Sequence, residues 1–77
     1  MENKVVITAE MSPEQASALL ASLKSDYSAA LNEHWYADTY RYVPAEDRHT
    51  AIVLKNPAMG AQRRLIGALT YSLKTAK

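Results

Sequence analysis

The sequence predicts an α+β domain whose elements follow the order β-α-β-β-α. Two segments begin with a polar residue followed by proline and continue with apolar residues spaced three and four apart, as in amphipathic helices. Three shorter segments are rich in β-branched or aromatic residues, as in strands. With 77 residues the chain can build one small core and not two. We therefore expect residues 1–77 to form a single domain, with two helices packed on one face of a three-stranded, antiparallel-type sheet.

The first two elements are a strand and a long helix. Residues 4–9 place Val5, Ile7 and Ala9 on one face of the predicted strand. The helix is predicted over residues 13–35, with Ser12 as its N-cap and Gln15 completing a capping box. Its apolar stripe consists of Ala16, Leu19, Leu20, Leu23, Tyr27, Ala30, Leu31 and His34.

The middle of the chain predicts a hairpin. Residues 38–43 alternate in polarity, residues 44–48 have the composition of a turn, and residues 49–55 form a second β-rich run. The continuous apolar run at 51–54 favours a central strand that is buried on both faces. A second helix starts at Asn56-Pro57, and its inner face carries Met59, Leu65, Ile66, Leu69, Leu73 and Ala76.

This element order resembles the ferredoxin-like βαββαβ fold without its last strand. The resemblance covers the whole chain in element order only, so it implies a fold and no function. It leaves the strand Lys4–Ala9 at a sheet edge with unpaired backbone groups. We therefore expect a homodimer or higher homo-oligomer that forms through this edge.

The charges divide unevenly along the chain. Residues 1–47 hold all eight acidic residues and three basic ones, a balance of −5, whereas residues 48–77 hold six basic residues and no acidic one, a balance of +6. Such asymmetry indicates a charged partner, unless the two segments face each other in the fold. No run is long enough to span a membrane, no signal peptide is indicated, and no cysteine is present, so we expect a cytoplasmic protein without a membrane partner.

Catalytic and metal-binding patterns are weak. Glu33 and His34 point about 100° apart on a helix, which argues against a metal site completed by Asp38. His34 lies on the apolar stripe and is expected to pack against the core, whereas His49 is expected to be exposed. We predict no enzyme activity, no metal and no cofactor.

The two glycines of the second predicted helix suggest a binding face. Each costs about 1 kcal/mol inside a helix, and both lie opposite the leucine face. They allow close approach of a partner beside arginine and tyrosine, which are common at binding hot spots. The alternative is that Gly60 only loosens the helix start and that Gly67 packs against its own sheet or against a second copy of the chain. The predicted partner-binding residues are Gly60, Arg63, Arg64, Gly67, Tyr71 and Lys74.

A second surface is predicted on the hairpin at Tyr40, Arg41, Tyr42 and Arg48. Aromatic rings interleaved with arginine can stack on bases, although tyrosines at alternate strand positions are also typical of cross-strand packing. The sequence as a whole favours a small, non-enzymatic protein-interaction module that binds an acidic patch, of the size typical of phage or mobile-element inhibitors and adaptors. The alternative is a nucleic-acid-binding protein that uses the basic C-terminal segment. A net charge of +1 and a pI near 8.0 are low for that alternative.

Overall fold

The computed structural model describes residues 4–75, and this part of the chain is helical, without a strand or a sheet. It contains the helices α1 (Pro13–Trp35), α2 (Ala45–Lys55) and α3 (Pro57–Thr75), with a 3-10 turn at Asp38–Tyr40. The predicted α+β, ferredoxin-like fold is therefore wrong. Ala76 and Lys77, which the sequence assigned to the second helix and to the basic segment, lie outside the described residues.

The prediction of α1 is confirmed at both ends. The Ser12 hydroxyl oxygen accepts a hydrogen bond from the Gln15 backbone N–H at 3.1 Å, and the Gln15 side-chain oxygen accepts one from the Ser12 N–H at 3.0 Å. These two bonds form the predicted capping box and satisfy donors that a helix start leaves free. His34, in the last turn, is half-buried with its ring edge-on to Tyr40 at 6.3 Å, which confirms its expected packing against the core.

The predicted hairpin at 38–55 is wrong. Residues 38–40 form the 3-10 turn, and the predicted turn and second strand form α2. Glu46 and Asp47 lie in the first turn of α2 and Lys55 lies in its last, so their charges complement the helix dipole. Within the apolar run, Ile52 is completely buried and Leu54 is 77% exposed, a difference that a helix produces and a strand buried on both faces does not.

Asn56 separates α2 from α3. Its side-chain amide donates to the Ile52 carbonyl oxygen at 2.6 Å, and its own carbonyl oxygen accepts from the N–H of Met59 at 2.9 Å. One residue thus ends α2 and begins α3. The helix start that Asn56-Pro57 predicted is confirmed, with Pro57 as the first residue of α3.

The helices α1 and α3 pack side by side in opposite directions, because Ala16 near the start of α1 and Leu73 near the end of α3 line one depression. At the other end, α2 contacts both helices. The core at that end consists of Tyr40, Ile52 and Met59, with Tyr27, Ala30, Leu31, Trp35, Ala37, Val43 and Ala51 packed around it. Towards the other end, Ala16 of α1 and Leu69 of α3 are buried. The inner face predicted for the last helix is thus placed correctly at Met59 and Leu69, while Leu65 remains 40% exposed.

Residues 4–11 precede α1 without regular secondary structure, and every one of them is exposed. The predicted strand Lys4–Ala9 therefore belongs to no sheet within the described chain. It also has no sheet edge of its own chain to extend. We call residues 4–10 the arm.

Between residues 4 and 75, no helix is both long and apolar enough to cross a lipid bilayer.

Candidate functional site

The predicted partner-binding residues lie along the outer side of α3. Positions 60, 64, 67, 71 and 74 fall within a sector of about 80° on a helix with 3.6 residues per turn. Arg63, Arg64, Gly67, Tyr71 and Lys74 are exposed, and Gly60 is partly buried. We call these six positions the α3 face.

The α3 face has a concave end. A shallow depression of about 350 Å³ lies where α2 and α3 meet, and it is lined by Val53, Gly60, Arg63 and Arg64. The two arginines bring guanidinium groups to a surface whose other lining residues are a glycine and a valine. Such a depression suits a carboxylate, since a guanidinium group can donate two parallel hydrogen bonds to it.

The contribution of Val53 was not predicted from the sequence. That residue was assigned to a central strand, whereas in α2 it lies one turn before Asn56 and beside α3. A Cβ atom on Gly60 would stand 3.9 Å from Cγ1 of Val53, which is an ordinary contact. The helix pair therefore has room for a side chain at Gly60, and packing alone does not require glycine there.

The space around Gly67 is more open than the space around Gly60. A Cβ atom at this position would meet no heavy atom within 4 Å among the neighbouring residues of the described structure. This excludes the alternative that Gly67 packs inside its own domain. A glycine on an exposed helical surface weakens the helix, because it increases the freedom of the unfolded chain.

Of the four residues predicted for the second surface, only Arg41 and Tyr42 are exposed. Tyr40 is 4% exposed and belongs to the core, so its ring is not available to a ligand. Arg41 and Tyr42 are exposed and adjacent, with Cζ of Arg41 5.0 Å from the centre of the Tyr42 ring. The Tyr42 side chain nevertheless remains 87% exposed.

Arg48 has a structural role in this region. Its Nη2 donates to the Val43 carbonyl oxygen at 2.8 Å and its Nη1 to that of Trp35 at 3.4 Å. The guanidinium also lies 5.2 Å from the centre of the Trp35 ring. Because Trp35 is the last residue of α1, Arg48 brings a positive charge to the negative end of that helix.

Trp35 and Tyr36 line two further depressions near the end of α1. The first, of about 320 Å³, is also lined by Ser28, Leu31 and Asn32 of α1. The other, of about 210 Å³, shares Trp35 and Tyr36 and adds Ala37, Arg41 and Arg48. Tyr36 is 80% exposed, so it adds aromatic surface beside Arg41.

Each of the two histidines lies beside a tyrosine ring, His34 beside Tyr40 and His49 beside Tyr27. His49 is half-buried, and its Nε2 lies 2.7 Å from the Tyr27 hydroxyl oxygen, so the expectation of an exposed His49 is wrong. Within residues 4–75, no group of three or more metal-ligating side chains comes together. The contact between His49 and Tyr27 joins α2 to α1.

Comparisons with family models, curated proteins and solved structures found no match to this chain.

Proposed function

We propose that this chain is a small, non-enzymatic, cytoplasmic interaction module that binds an acidic patch of a partner protein through the α3 face. The observation that carries the proposal is the depression in which Arg63 and Arg64 flank Gly60. The two guanidinium groups can each donate paired hydrogen bonds, and Gly60 lets a partner come close to the α3 backbone. An aspartate or glutamate side chain of a partner has the size and the charge to enter it.

The rest of the α3 face extends this contact along the helix. From Arg64 to Lys74 the helix rises about 15 Å, which matches the length of a helix or loop on a partner surface. Tyr71 is 69% exposed and offers a rigid ring with a polar tip. Gly67, between Arg64 and Tyr71, lets the partner backbone come closer than a side chain would allow.

The charge balance favours a protein partner. Nucleic-acid-binding domains commonly have a pI above 9, whereas the pI of this chain is about 8.0. Along the described α3 face only Arg63, Arg64 and Lys74 are cationic, and the exposed Tyr71 lies between them. A mixed surface of this kind is typical of a protein hot spot. By covering the acidic patch, the module would act as an inhibitor or an adaptor of its partner.

The test compares two variants of equal charge change. R63E/R64E reverses the charge at the depression, while K24E/K55E reverses two exposed cations outside both candidate surfaces. Both variants and the unmodified chain are immobilised and exposed to lysate of the source organism, with and without nuclease treatment, and the captured proteins are quantified. We expect R63E/R64E to lose a protein that K24E/K55E retains.

Equal capture by both variants would refute a role for the depression. Capture that disappears after nuclease treatment, together with binding to an oligonucleotide that falls steeply with salt, would instead support the nucleic-acid alternative.

A further inference from the structure

The arm carries three consecutive apolar side chains into solvent. Val5, Val6 and Ile7 are 88%, 85% and 75% exposed. In residues 4–75, no backbone hydrogen bond links the arm to another element. β-Branched residues with unpaired backbone groups are prone to pair with another strand.

We propose that the arms of two copies pair as antiparallel strands about a two-fold axis at Ile7. The partner of each arm is thus the arm of a second copy of this chain. In an antiparallel pair centred on Ile7, residue numbers that lie opposite each other sum to 14. Ile7 then faces Ile7 of the second copy, Val5 faces Ala9, Val6 faces Thr8, and Lys4 faces Glu10.

This register is self-complementary in both charge and polarity. The pair Lys4–Glu10 occurs once at each end of the ribbon, so two opposite-charge pairs close it. Val5, Ile7 and Ala9 share one face and meet only one another across the pair. A shift of one residue to the sum of 15 would place Val5 opposite Glu10 and lose both charge pairs.

The apolar face of the ribbon has a neighbouring place to pack. A depression of about 270 Å³ at the base of the arm is lined by Ala9, Glu10, Met11, Pro13, Ala16, Leu69, Ser72 and Leu73. Met11 is 38% exposed and continues the odd-numbered face of the arm towards this depression. A two-stranded ribbon alone is marginally stable, and packing against helices is what makes such a ribbon persist.

The chain has no cysteine, which allows a direct test of the register. Directly opposed residues in an antiparallel pair have Cα atoms about 4.5–5.5 Å apart, a separation that a disulfide spans. Ile7→Cys should therefore yield a disulfide-linked dimer with oxidised glutathione at micromolar protein. Val6→Cys is the matched control, because residue 6 faces residue 8 and not itself.

A charge exchange tests the same register without oxidation. Lys4→Glu and Glu10→Lys each place like charges opposite one another at both ends of the ribbon. Each should weaken the dimer about tenfold in sedimentation equilibrium. The double variant K4E/E10K exchanges the partners and should restore the dissociation constant to within about twofold. Circular dichroism of each variant verifies that the helices remain folded.

A monomer at all concentrations up to about 100 μM, above the range of a stable dimer, would overturn the proposal. So would equally fast cross-linking of Val6→Cys and Ile7→Cys, or failure of K4E/E10K to recover. None of these outcomes bears on the α3 face, since its residues lie outside the arm.

Discussion

The hydroxyl oxygen of Tyr27 on α1 lies 2.7 Å from Nε2 of His49 on α2, although the two residues are 22 positions apart in the chain. Their rings meet at a tilt of 57° with centres 5.9 Å apart. This contact joins the short helix α2 to the long helix α1 beside the core, against which Tyr27 packs. It is the one hydrogen bond between side chains of α1 and α2 in the described part of the molecule.

We expect Tyr27→Phe to lower the free energy of unfolding by about 1 kcal/mol, because it removes the bond and leaves the imidazole nitrogen unpaired in a half-buried place. The ring packing is retained. Urea unfolding of Y27F, of His49→Phe and of the double variant measures the coupling between the two side chains. Additive effects within about 0.3 kcal/mol would contradict a direct interaction.

Arg48 should be more important for stability than any other arginine. Arg48→Met removes the donors to the Val43 and Trp35 carbonyl oxygens and the stacking on Trp35. We expect a loss of about 2–3 kcal/mol in the free energy of unfolding, since two partly buried carbonyls lose a charged donor.

The matched control is Arg41→Met, at an exposed arginine that stacks on the exposed Tyr42. Its effect should stay within about 0.5 kcal/mol, as for other surface substitutions. Equal losses in the two variants would contradict the structural role of Arg48.

Two neighbouring apolar residues of α2 distinguish the helix from the predicted strand. Ile52 is fully buried and Leu54 is 77% exposed. We expect Ile52→Ala to cost about 2–5 kcal/mol and Leu54→Ala to cost less than about 0.5 kcal/mol in urea unfolding. A central strand buried on both faces would make both substitutions costly, so a large loss for Leu54→Ala would contradict α2.

The sequence was informative where local signals agreed and misleading where they competed. α1 was predicted with its bounds and its capping box, because Ser12, Pro13 and Gln15 indicate a helix start independently of tertiary contacts. The region 38–55 was predicted wrongly, because aromatic and β-branched residues outweighed a helix start that was also present. Pro44 followed by Glu46 and Asp47 in a first turn is that start. The four consecutive apolar residues at 51–54 fit either a buried strand or a helix, and length alone did not separate the two.

The candidate site was likewise predicted in part. The grouping of Arg64, Gly67 and Tyr71 on one side of α3 followed from helical periodicity and is observed. The depression beside Gly60 was not predictable, because its other wall, Val53, comes from the helix that was taken for a strand. Likewise, Tyr40 was assigned to a surface, whereas tertiary packing with Ile52 and Met59 places it in the core.

Substitutions at Gly67 can distinguish an effect on the stability of α3 from an effect on partner binding. Because a Cβ atom there meets open space, Gly67→Ala should raise the free energy of unfolding by about 0.5–1 kcal/mol, chiefly by restricting the unfolded chain.

Gly67→Gln should be similarly stable, since glutamine is a good helix former, but its longer side chain would stand between Arg64 and Tyr71. We expect G67Q to lose capture of the partner protein at unchanged or increased melting temperature. Ala21→Gln, at an exposed position of α1, is the control and should bind as the unmodified chain does. If G67Q is destabilised, Gly67 serves the fold of the chain. If G67Q is stable and binds normally, the partner does not approach α3 closely at this position.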